Sequence, residues 1–416
     1  MAVRNTKVEL RIRNIEKYLN SFILHSSLRL DRIKKLLAAL GEPQTRFPSI
    51  IIGGTAGKGS TSTMIASILT ESGLKVGLYT SPHLSKLNER FKIDNKDISD
   101  KELIDLVNAI REFVTCESYF EILTSIAFLW FAKKKIDVAV LEVGMGGRWD
   151  ATNVVNNKIA VLTNVGLDHT EFLGKSVNSQ AWEKVAILKK EGTMVTGVTQ
   201  SSVIKIVKNY AKAKSAKVIF FRILKKFNLK LLGLHQQANA NLAAAAVKAF
   251  DPKIPAKAIR AGLLKAFIPG RLEVIKNIIL DGAHNPIKMK ALVASLKQLY
   301  PNGPKARQPR VGKKFITIFS AKKDKDIAKM LKILLPVTKK LIITKFTLST
   351  DAGSFMAADP KLIASITRRL TSGKKIIVVP DPRQALKTAM KQFNNNNNFI
   401  LVTGSLYLVG EIRSFI

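Results

Sequence analysis

Apolar and polar positions follow two periods along this chain, and the alternation of those periods predicts strands and helices in turn. Short apolar runs predict strands at Ser49–Ile52, Val76–Tyr79, Val138–Val143, Ile159–Val165, Thr193–Val198 and Val218–Phe221. Apolar positions at helical spacing lie between them, at 60–72, 100–114, 120–134, 179–190 and 236–266, after helices within 1–47. Because strands and helices alternate, we expect a mostly parallel sheet that is covered on both faces.

The alternation restarts after Pro269-Gly270, which predicts a second and smaller domain. Its predicted strands are Val274–Leu280, Phe315–Phe319, Leu341–Lys345, Ile376–Val379 and Ile400–Thr403, and its predicted helices are Lys288–Leu299, Ile327–Leu335, Pro360–Leu370 and Arg383–Gln392. The basic segment Pro301–Lys314 and the asparagine run Asn394–Asn398 are predicted loops. We therefore predict two α/β domains, residues 1–268 and 269–416.

A glycine-rich segment, 53–61, joins the first predicted strand to a helix. Its glycines let backbone N–H groups turn inward, the helix N-terminus carries partial positive charge, and Lys58 adds a full charge. The segment departs from the general phosphate-loop pattern, because Gly59 stands between Lys58 and Ser60 and the outer glycines are one residue closer together. A tight turn before an ordinary helix is the alternative, and the Lys-Gly-Ser-Thr helix start favours a nucleotide site.

Polar side chains follow several predicted strands, and strand ends are where open parallel sheets bind their ligands. Glu142 interrupts an apolar run, where a carboxylate is costly unless a cation or a donor satisfies it, so it is the strongest candidate ligand for Mg²⁺. Ser81, before Pro82, is a second oxygen candidate, with a simple turn as an equal alternative. His169 alone would be a turn histidine, and a place beside Glu142 on a neighbouring strand end would favour a ligand.

Two further segments carry weaker signals. Lys184 lies in a helical pattern, where a solvated surface residue is the default interpretation. The segment Asp-Gly-Ala-His-Asn-Pro at 281–286 follows the first strand of the second domain, and we expect Asp281 and His284 to face a cleft between the domains. The spacing of that segment alone is only suggestive.

Composition narrows the class of protein. The chain has 416 residues, 46% of them hydrophobic, and no apolar stretch in the sequence is long enough to span a bilayer. Residues 1–13 lack the apolar core of a secretory signal, and the single cysteine, Cys116, excludes an intramolecular disulfide, so we expect a cytoplasmic protein. The net charge of +38 either attracts polyanions or reflects lysines scattered over solvated faces; with no aromatic–basic stripe, the second interpretation is favoured.

From about residue 29 to the end, the chain resembles the dihydrofolate synthase/folylpolyglutamate synthase family, within the superfamily of ATP-dependent Mur ligases. The motifs that carry the resemblance are, in order, GTAGKGS, TSPHL with Asn88-Glu89-Arg90, SYFE, EVGMGGRWDATN, TNVGLDHT, EKVAILK, HQQANA, PGRLE, DGAHNP and GSLY. The resemblance implies an N-terminal P-loop-type domain with a mostly parallel sheet and a smaller C-terminal Rossmann-like α/β domain.

The resemblance also implies a reaction. ATP phosphorylates a pterin-linked carboxylate, the amine of L-glutamate attacks the acyl phosphate, and phosphate leaves, so that catalysis amounts to positioning and charge neutralisation. The small-molecule substrates would be dihydropteroate or folate, L-glutamate and ATP, with two Mg²⁺ ions. We expect a monomer that binds neither nucleic acid nor a membrane.

Site residues carry over from the family motif by motif. The catalytic residues would be Lys58, His169 and Lys184. The metal ligands would be Ser81, Glu142, His169 and a carbamylated Lys184. ATP would be bound by Thr55, Ala56, Gly57, Lys58, Gly59, Ser60, Asn239, Arg271, Asp281 and His284. The pteroate pocket would be lined by Ser118, Tyr119, Phe120, Glu121, Trp149, Asp150 and Ala151.

Three departures from the family pattern bear on these assignments. Ala56 stands where the family usually has Asn, so we expect weakened rather than abolished nucleotide binding. Val185-Ala186 replaces an Ala-Gly pair beside Lys184, and Trp149 replaces a smaller apolar residue. Two alternatives stay open: a ligase of the same superfamily with a different carboxylate acceptor, such as a cell-wall precursor, and a nucleotide- or nucleic-acid-binding module without ligase chemistry.

Overall fold

The computed structural model describes residues 14–22, 29–221, 225–301, 315–347, 356–371, 373–392 and 399–416. These residues form two compact units. The first holds the described residues up to Lys230 together with Gln236–Phe267, and the second holds Leu231–His235 and the described residues from Ile268 onward. The predicted loop Asn394–Asn398 lies outside the described residues, as does the predicted loop Pro301–Lys314 except for Pro301. Among the described helices, none combines the length and the apolar character needed to cross a bilayer.

The first unit is built on an eight-stranded sheet, counted over the described residues, with the order β4-β3-β2-β5-β1-β6-β7-β8. Its strands are β1 Ser49–Gly53, β2 Val76–Tyr79, β3 Phe91–Ile93, β4 Lys96–Asp97, β5 Val138–Glu142, β6 Ile159–Leu162, β7 Thr193–Thr196 and β8 Lys217–Phe220. All residues of β1 and β5 are buried, as expected for central parallel strands that are covered on both faces.

Ten helices carry numbers α1 to α10 in the described chain before residue 267. They are α1 at 14–20, α2 Asp31–Ala39, α3 Lys58–Glu71, α4 Asp100–Ile110, α5 Tyr119–Lys134, α6 Thr170–Leu173, α7 Val177–Val185, α8 Ser201–Ala213, α9 His235–Phe250 and α10 Ala256–Lys265. Apolar residues at helical spacing form the buried faces; in α8 these are Val203, Ile206, Val207 and Ala211.

The second unit has a six-stranded sheet over its described residues, in the order β13-β12-β11-β14-β10-β9. Its strands are β9 Glu273–Ile275, β10 Ile278–Asp281, β11 Phe315–Phe319, β12 Thr338–Ile343, β13 Lys375–Val378 and β14 Ile400–Thr403. Its helices are α11 Pro286–Leu299, α12 Ile327–Leu334, α13 Pro360–Leu370, α14 Pro382–Lys391 and α15 Leu406–Arg413. Strands β10, β14, β11, β12 and β13, in their order across the sheet, are parallel to their neighbours. Strand β9 is the one antiparallel strand within the described part of this sheet.

The predicted α/β class is confirmed, and the element pattern differs from the prediction in several places. The single strand predicted at Val274–Leu280 is an antiparallel hairpin, because the chain turns at Lys276, which has a φ of 54°. Strands β3 and β4 were not predicted; they are short and antiparallel to each other. Helices α8 and α15 were also missed, although the apolar spacing within α8 is regular. Strand β6 ends at Leu162, so residues 163–165 already belong to the loop that follows it.

Candidate active site

Four polar segments lie at the carboxyl ends of four adjacent parallel strands, in the order β2, β5, β1 and β6. These segments are 80–84, 143–150, the glycine-rich loop 54–57 and 163–169. After β1 the chain builds β2 and β5 on one side of that strand and then crosses to build β6 on the other side. The glycine-rich loop therefore stands where the strand order reverses, which is where sheets of this kind bind their ligands.

The positions of Glu142 and His169 correct one step of the sequence interpretation. Glu142 is the last residue of β5 and His169 follows β6, and β1 lies between these two strands. The two residues are therefore not on neighbouring strand ends, as the sequence interpretation assumed. They follow the strands that flank β1 on opposite sides.

The glycine-rich loop has the close approaches that glycine allows. Gly57 has a φ of 81° and directly precedes α3, which begins at Lys58. A Cβ atom built on Gly57 would lie 2.7 Å from Asn239 Oδ1, and one built on Gly59 would lie 3.3 Å from Glu142 Oε2. Because α3 begins here, its N-terminal N–H groups and the Glu142 carboxylate share one small region, as a site for a cation-bridged phosphate requires.

Two lysines lie beside this loop. Lys58 Nζ donates a hydrogen bond to the Gly54 carbonyl oxygen at 3.1 Å. Lys184, in α7, is only 2% exposed, and its ammonium group makes no hydrogen bond or ion pair with the residues that the structure describes. Burial and the charge of Lys58 lower the pKa of Lys184 to about 8, against the opposing effects of Asp168 and Glu183. Lys184 is therefore not the solvated surface residue of the default interpretation.

Two of the candidate metal ligands, Ser81 and Glu142, are in contact through the backbone of Ser81. Glu142 is 5% exposed, and its Oε2 accepts a hydrogen bond from the Ser81 backbone N–H at 3.1 Å. His169 is exposed, and its Nε2 lies 3.9 Å from Asp168 Oδ1. No group of three or more His, Cys, Asp or Glu side chains in the described chain is arranged to hold a metal ion. Mg²⁺ prefers hard oxygens and completes its shell with water and substrate phosphates, so the Glu142 carboxylate fits that ion.

Three of the residues assigned to the pteroate pocket hold local structure. Ser118 caps α5: its Oγ accepts from the Glu121 N–H at 3.4 Å, and Glu121 Oε2 accepts from the Ser118 N–H at 2.7 Å. Asp150 Oδ1 accepts from the Thr152 N–H at 3.0 Å and its Oδ2 from the Met145 N–H at 2.9 Å, while burial raises the pKa of this carboxyl. One oxygen, Glu121 Oε1, is buried without a hydrogen-bond partner in the described part of the chain.

The other members of that predicted pocket differ in exposure. Tyr119 and Ala151 are buried, and the Phe120 ring lies 5.9 Å from the ring of Tyr79, centroid to centroid. Trp149 is 44% exposed. The structure therefore gives an aromatic wall at Tyr79 and Phe120, with Trp149 at the surface.

In the second unit, Asp281 ends β10 and is held by backbone donors. Its Oδ2 accepts from the Leu272 N–H at 3.0 Å, and its Oδ1 accepts from the Ala283 N–H at 2.9 Å. Burial raises the pKa of Asp281, and the nearby Arg271 guanidinium opposes that effect. Asp281 and Arg271, which the resemblance assigned together, therefore interact within this unit.

His284 is held as a neutral ring by its neighbours. Its Nε2 lies 2.9 Å from Lys288 Nζ, and its Nδ1 lies 2.8 Å from the Gly282 carbonyl oxygen. Because an ammonium group only donates, Nε2 accepts and Nδ1 carries the proton. Burial and the charge of Lys288 lower the pKa of His284 well below its usual value, with smaller effects in the same direction from Arg271 and Lys325.

Sequence reasoning missed a buried pair next to these elements. Arg90 is 1% exposed, its Nε donates to His83 Nδ1 at 2.8 Å, and its guanidinium carbon lies 5.7 Å from the centre of the Tyr119 ring. Both residues stand in motifs that were used only as markers of the resemblance. The available signal was an arginine placed directly before the apolar residue Phe91.

Comparisons with known proteins identify the family of this chain. A model of the Mur ligase middle domain matches residues 52–226, and a model of the C-terminal domain of dihydrofolate synthetase matches residues 273–415. The dihydrofolate synthase/folylpolyglutamate synthase of Bacillus subtilis (strain 168) is 32% identical over 92% of this chain and 94% of its own length. The chain belongs to the dihydrofolate synthase/folylpolyglutamate synthase family.

Solved structures of this family are similar along the chain. A crystal structure of Mycobacterium tuberculosis folylpolyglutamate synthase complexed with ADP and AMPPCP has a TM-score of 0.85, with 29% identity over 98% of both chains. The structure of E. coli FolC in complex with DHPP and ADP has a TM-score of 0.83, with 27% identity over 97% of both chains. The likeness confirms the two-domain α/β fold that the resemblance implied.

Proposed function

We propose that this protein is an ATP-dependent ligase that adds L-glutamate to dihydropteroate and to folates through an acyl-phosphate intermediate. One observation carries the proposal: the Glu142 carboxylate lies against Gly59, at the N-terminus of α3. This point is also where the strand order of the sheet reverses. Membership of the dihydrofolate synthase/folylpolyglutamate synthase family, and the ADP and DHPP named for the E. coli relative, support the choice of substrates.

The nucleotide phosphates would be held by the loop from Thr55 to Ser60. The free N–H groups at the start of α3 and the ammonium group of Lys58 supply positive charge where the γ-phosphoryl group develops negative charge. Lys58 would leave the Gly54 carbonyl, to which it donates in this structure, and turn to the phosphates. Asn239, which lies against Gly57, would contact the nucleotide from the side of α9.

Ser81 and Glu142 would hold Mg²⁺, and the ion would neutralise phosphate charge as the phosphoryl group is transferred. The support is the burial of the Glu142 carboxylate at the end of β5 and its contact with the backbone N–H of Ser81. His169 as a further ligand remains a prediction. The role of the protein is to keep the carboxylate of the acceptor, the phosphoryl group and the amine of glutamate in line.

A carbamate on Lys184 would provide the second metal ligand. The ammonium group of Lys184 would first lose one proton, and the neutral amine would then attack CO₂ to form an N–C bond with release of a second proton. A cation would thus become a carboxylate-like anion. Support comes from burial without a hydrogen-bond partner among the described residues, and from the nearby charge of Lys58, which an anion would attract. A buried lysine that stays an ammonium group next to another lysine is the costly alternative.

The pteroate end of the acceptor would lie against α5. The Phe120 ring, which packs on the buried Tyr79 ring, would give an apolar contact, and Glu121 Oε1 would be an acceptor for the N–H groups of a pterin. Ser118, Tyr119, Asp150 and Ala151 would shape this pocket, and Trp149 would close over it from the surface. Arg271, Asp281 and His284 keep their predicted role toward the nucleotide.

The test is phosphate release in the presence of ATP, Mg²⁺, dihydropteroate and L-glutamate, repeated with tetrahydrofolate in place of dihydropteroate. We expect release that requires all four components and matches the glutamylated product one to one. Lys58→Met should lower the rate at least about 100-fold, and Lys133→Met, a matched change of an exposed lysine, should leave it unchanged. Release that does not need the pteroate would contradict the proposal, and a thermal-shift screen against muropeptides would then identify another acceptor.

A further inference from the structure

The glycine-rich loop is tied to the segment that follows β6. The Thr55 N–H donates to the Asn164 carbonyl oxygen at 3.1 Å, and Thr55 Oγ1 donates to the Gly166 carbonyl oxygen at 2.9 Å. Thr163 Oγ1 donates to the Ala56 carbonyl oxygen at 2.7 Å. These bonds join residues more than 100 positions apart in the sequence, so they fix the loop in space and not merely its local turn.

Asn164 makes the most specific contact in this set. Its Oδ1 accepts from the Ala56 N–H at 2.9 Å, and its Nδ2 donates to the Ala56 carbonyl oxygen at 3.1 Å. A single carboxamide thus pairs with both polar groups of one residue. The pairing works in one orientation of the amide only, because the reverse would set donor against donor and acceptor against acceptor.

The pairing matters because of what stands at position 56. Alanine has no polar side chain with which to hold the loop. The Ala56 N–H is directed to Asn164 and is not available to a phosphate, which leaves the N–H groups from Gly57 to Ser60 as the cradle. The direction in which those groups point depends on how Ala56 is held.

We propose that Asn164 is a positioning residue for the phosphates of the nucleotide: it clamps Ala56 and sets the cradle from Gly57 to Ser60. The inference rests on the proposed function, because it assumes that this loop binds phosphates. The same segment continues to Asp168 and His169, so the clamp also fixes the loop relative to a predicted metal ligand. Pre-ordering of this kind raises affinity because less order has to be created on binding.

Two variants and one control separate the parts of the clamp. Asn164→Ala removes both hydrogen bonds. Asn164→Asp keeps an acceptor for the Ala56 N–H, loses the donor to the Ala56 carbonyl, and adds negative charge near the phosphates. Asn108→Ala changes an exposed asparagine in α4 and serves as the matched control. Because Asn164 is itself exposed and lies outside the strands, we expect all three proteins to fold.

The first measurement is the dissociation constant of ADP, which needs no ligase turnover. We expect Asn164→Ala to bind ADP about tenfold more weakly, the loss of one to two net hydrogen bonds, and Asn164→Asp to bind it more weakly still. In the ligase assay the KM for ATP should rise, while the KM for folate and the kcat stay within about twofold of the unmodified protein. An ADP affinity within twofold of the unmodified protein in Asn164→Ala overturns the proposal.

The second measurement is hydrogen exchange of the Ala56 N–H in the absence of nucleotide. We expect faster exchange in Asn164→Ala, near-normal exchange in Asn164→Asp, and no change in Asn108→Ala. If the protein binds ADP and shows these shifts but performs no ligation, the proposed function fails and the clamp stands. If exchange at Ala56 is the same in Asn164→Ala and in the unmodified protein, the clamp fails whatever the activity. If Asn164→Ala does not fold, Asn164→Asp still tests the proposal. In that variant we expect near-normal exchange of the Ala56 N–H together with weaker binding of ADP.

Discussion

At the scale of single residues, some polar groups of the site have hydrogen-bond partners in the described chain and others do not. Asp150 is buried and Asp281 is partly buried, and backbone N–H donors hold both carboxylates. Lys184 is 2% exposed, and the described residues give its ammonium group no such partner. A mostly buried ammonium group beside a second lysine is costly, so its retention at this position needs a functional explanation.

Replacement of Lys184 by alanine tests that explanation. We expect Lys184→Ala to lose ligase turnover at least about 100-fold while keeping its fold, because the buried cation costs stability and the carbamate serves only the reaction. Phosphate release and thermal unfolding measure the two effects. Lys190→Ala, an exposed neighbour, is the control. Added short-chain carboxylates should restore part of the activity of Lys184→Ala, and full activity of that variant without them rules the carbamate out.

A direct measurement completes this test. Protein equilibrated with ¹³C-labelled bicarbonate should give one carbamate signal in the ¹³C spectrum, absent from Lys184→Ala and present in Lys190→Ala. A carbamate signal that persists in Lys184→Ala would place the modification on another lysine.

At the scale of elements, helix α3, which begins at Lys58, packs against α10 at a point distant from the glycine-rich loop. A Cβ atom built on Gly262, in α10, would lie 2.4 Å from Ile68 Cα and 2.6 Å from Ile68 N, both in the backbone of α3. Ser67 Oγ donates to the Gly262 carbonyl oxygen at 2.8 Å in the same contact. Helices α3 and α10 therefore approach closely at a point where only glycine fits.

Gly262→Ala should accordingly destabilise the first unit. The added methyl group meets backbone atoms, which cannot rotate away, so the helices must separate, at a cost of about 2–4 kcal/mol. We expect the midpoint of thermal unfolding to fall by roughly 5–10 °C. Gly373→Ala is the control, because a Cβ atom there meets nothing within 4 Å, and it should change stability by less than about 0.5 kcal/mol. Equal melting temperatures for the two variants would contradict the close contact.

The elements also show what sequence could and could not predict. Buried parallel strands are apolar runs, so β1, β2 and β5 were found within about a residue of their ends, and the polar segments after them were found with them. Which strand lies beside which is a non-local property, and no local pattern reveals that β1 lies between β5 and β6. For the same reason the bond of Asn164 to Ala56 and the burial of Lys184 needed coordinates.

At the scale of the whole molecule, charge is the dominant property. The chain has 68 basic and 30 acidic side chains, so even complete pairing would leave 38 cations without a protein counter-charge. Such a surplus destabilises the compact state through self-repulsion. Salt screens that repulsion, because the Debye length falls from about 20 Å at 20 mM salt to about 4 Å at 0.5 M salt.

We therefore expect KCl to stabilise this protein over that range and raise the midpoint of thermal unfolding by several degrees. An anion bound in the phosphate loop would also stabilise the fold by mass action, and the Lys58→Met variant separates the two effects. Screening of scattered lysines should raise the midpoint equally in the unmodified protein and in Lys58→Met, whereas anion binding should be lost in the variant. If the midpoint of thermal unfolding stays constant or falls with KCl, repulsion between the lysines does not destabilise the folded state. That result would contradict the scattered distribution of lysines that the sequence indicates.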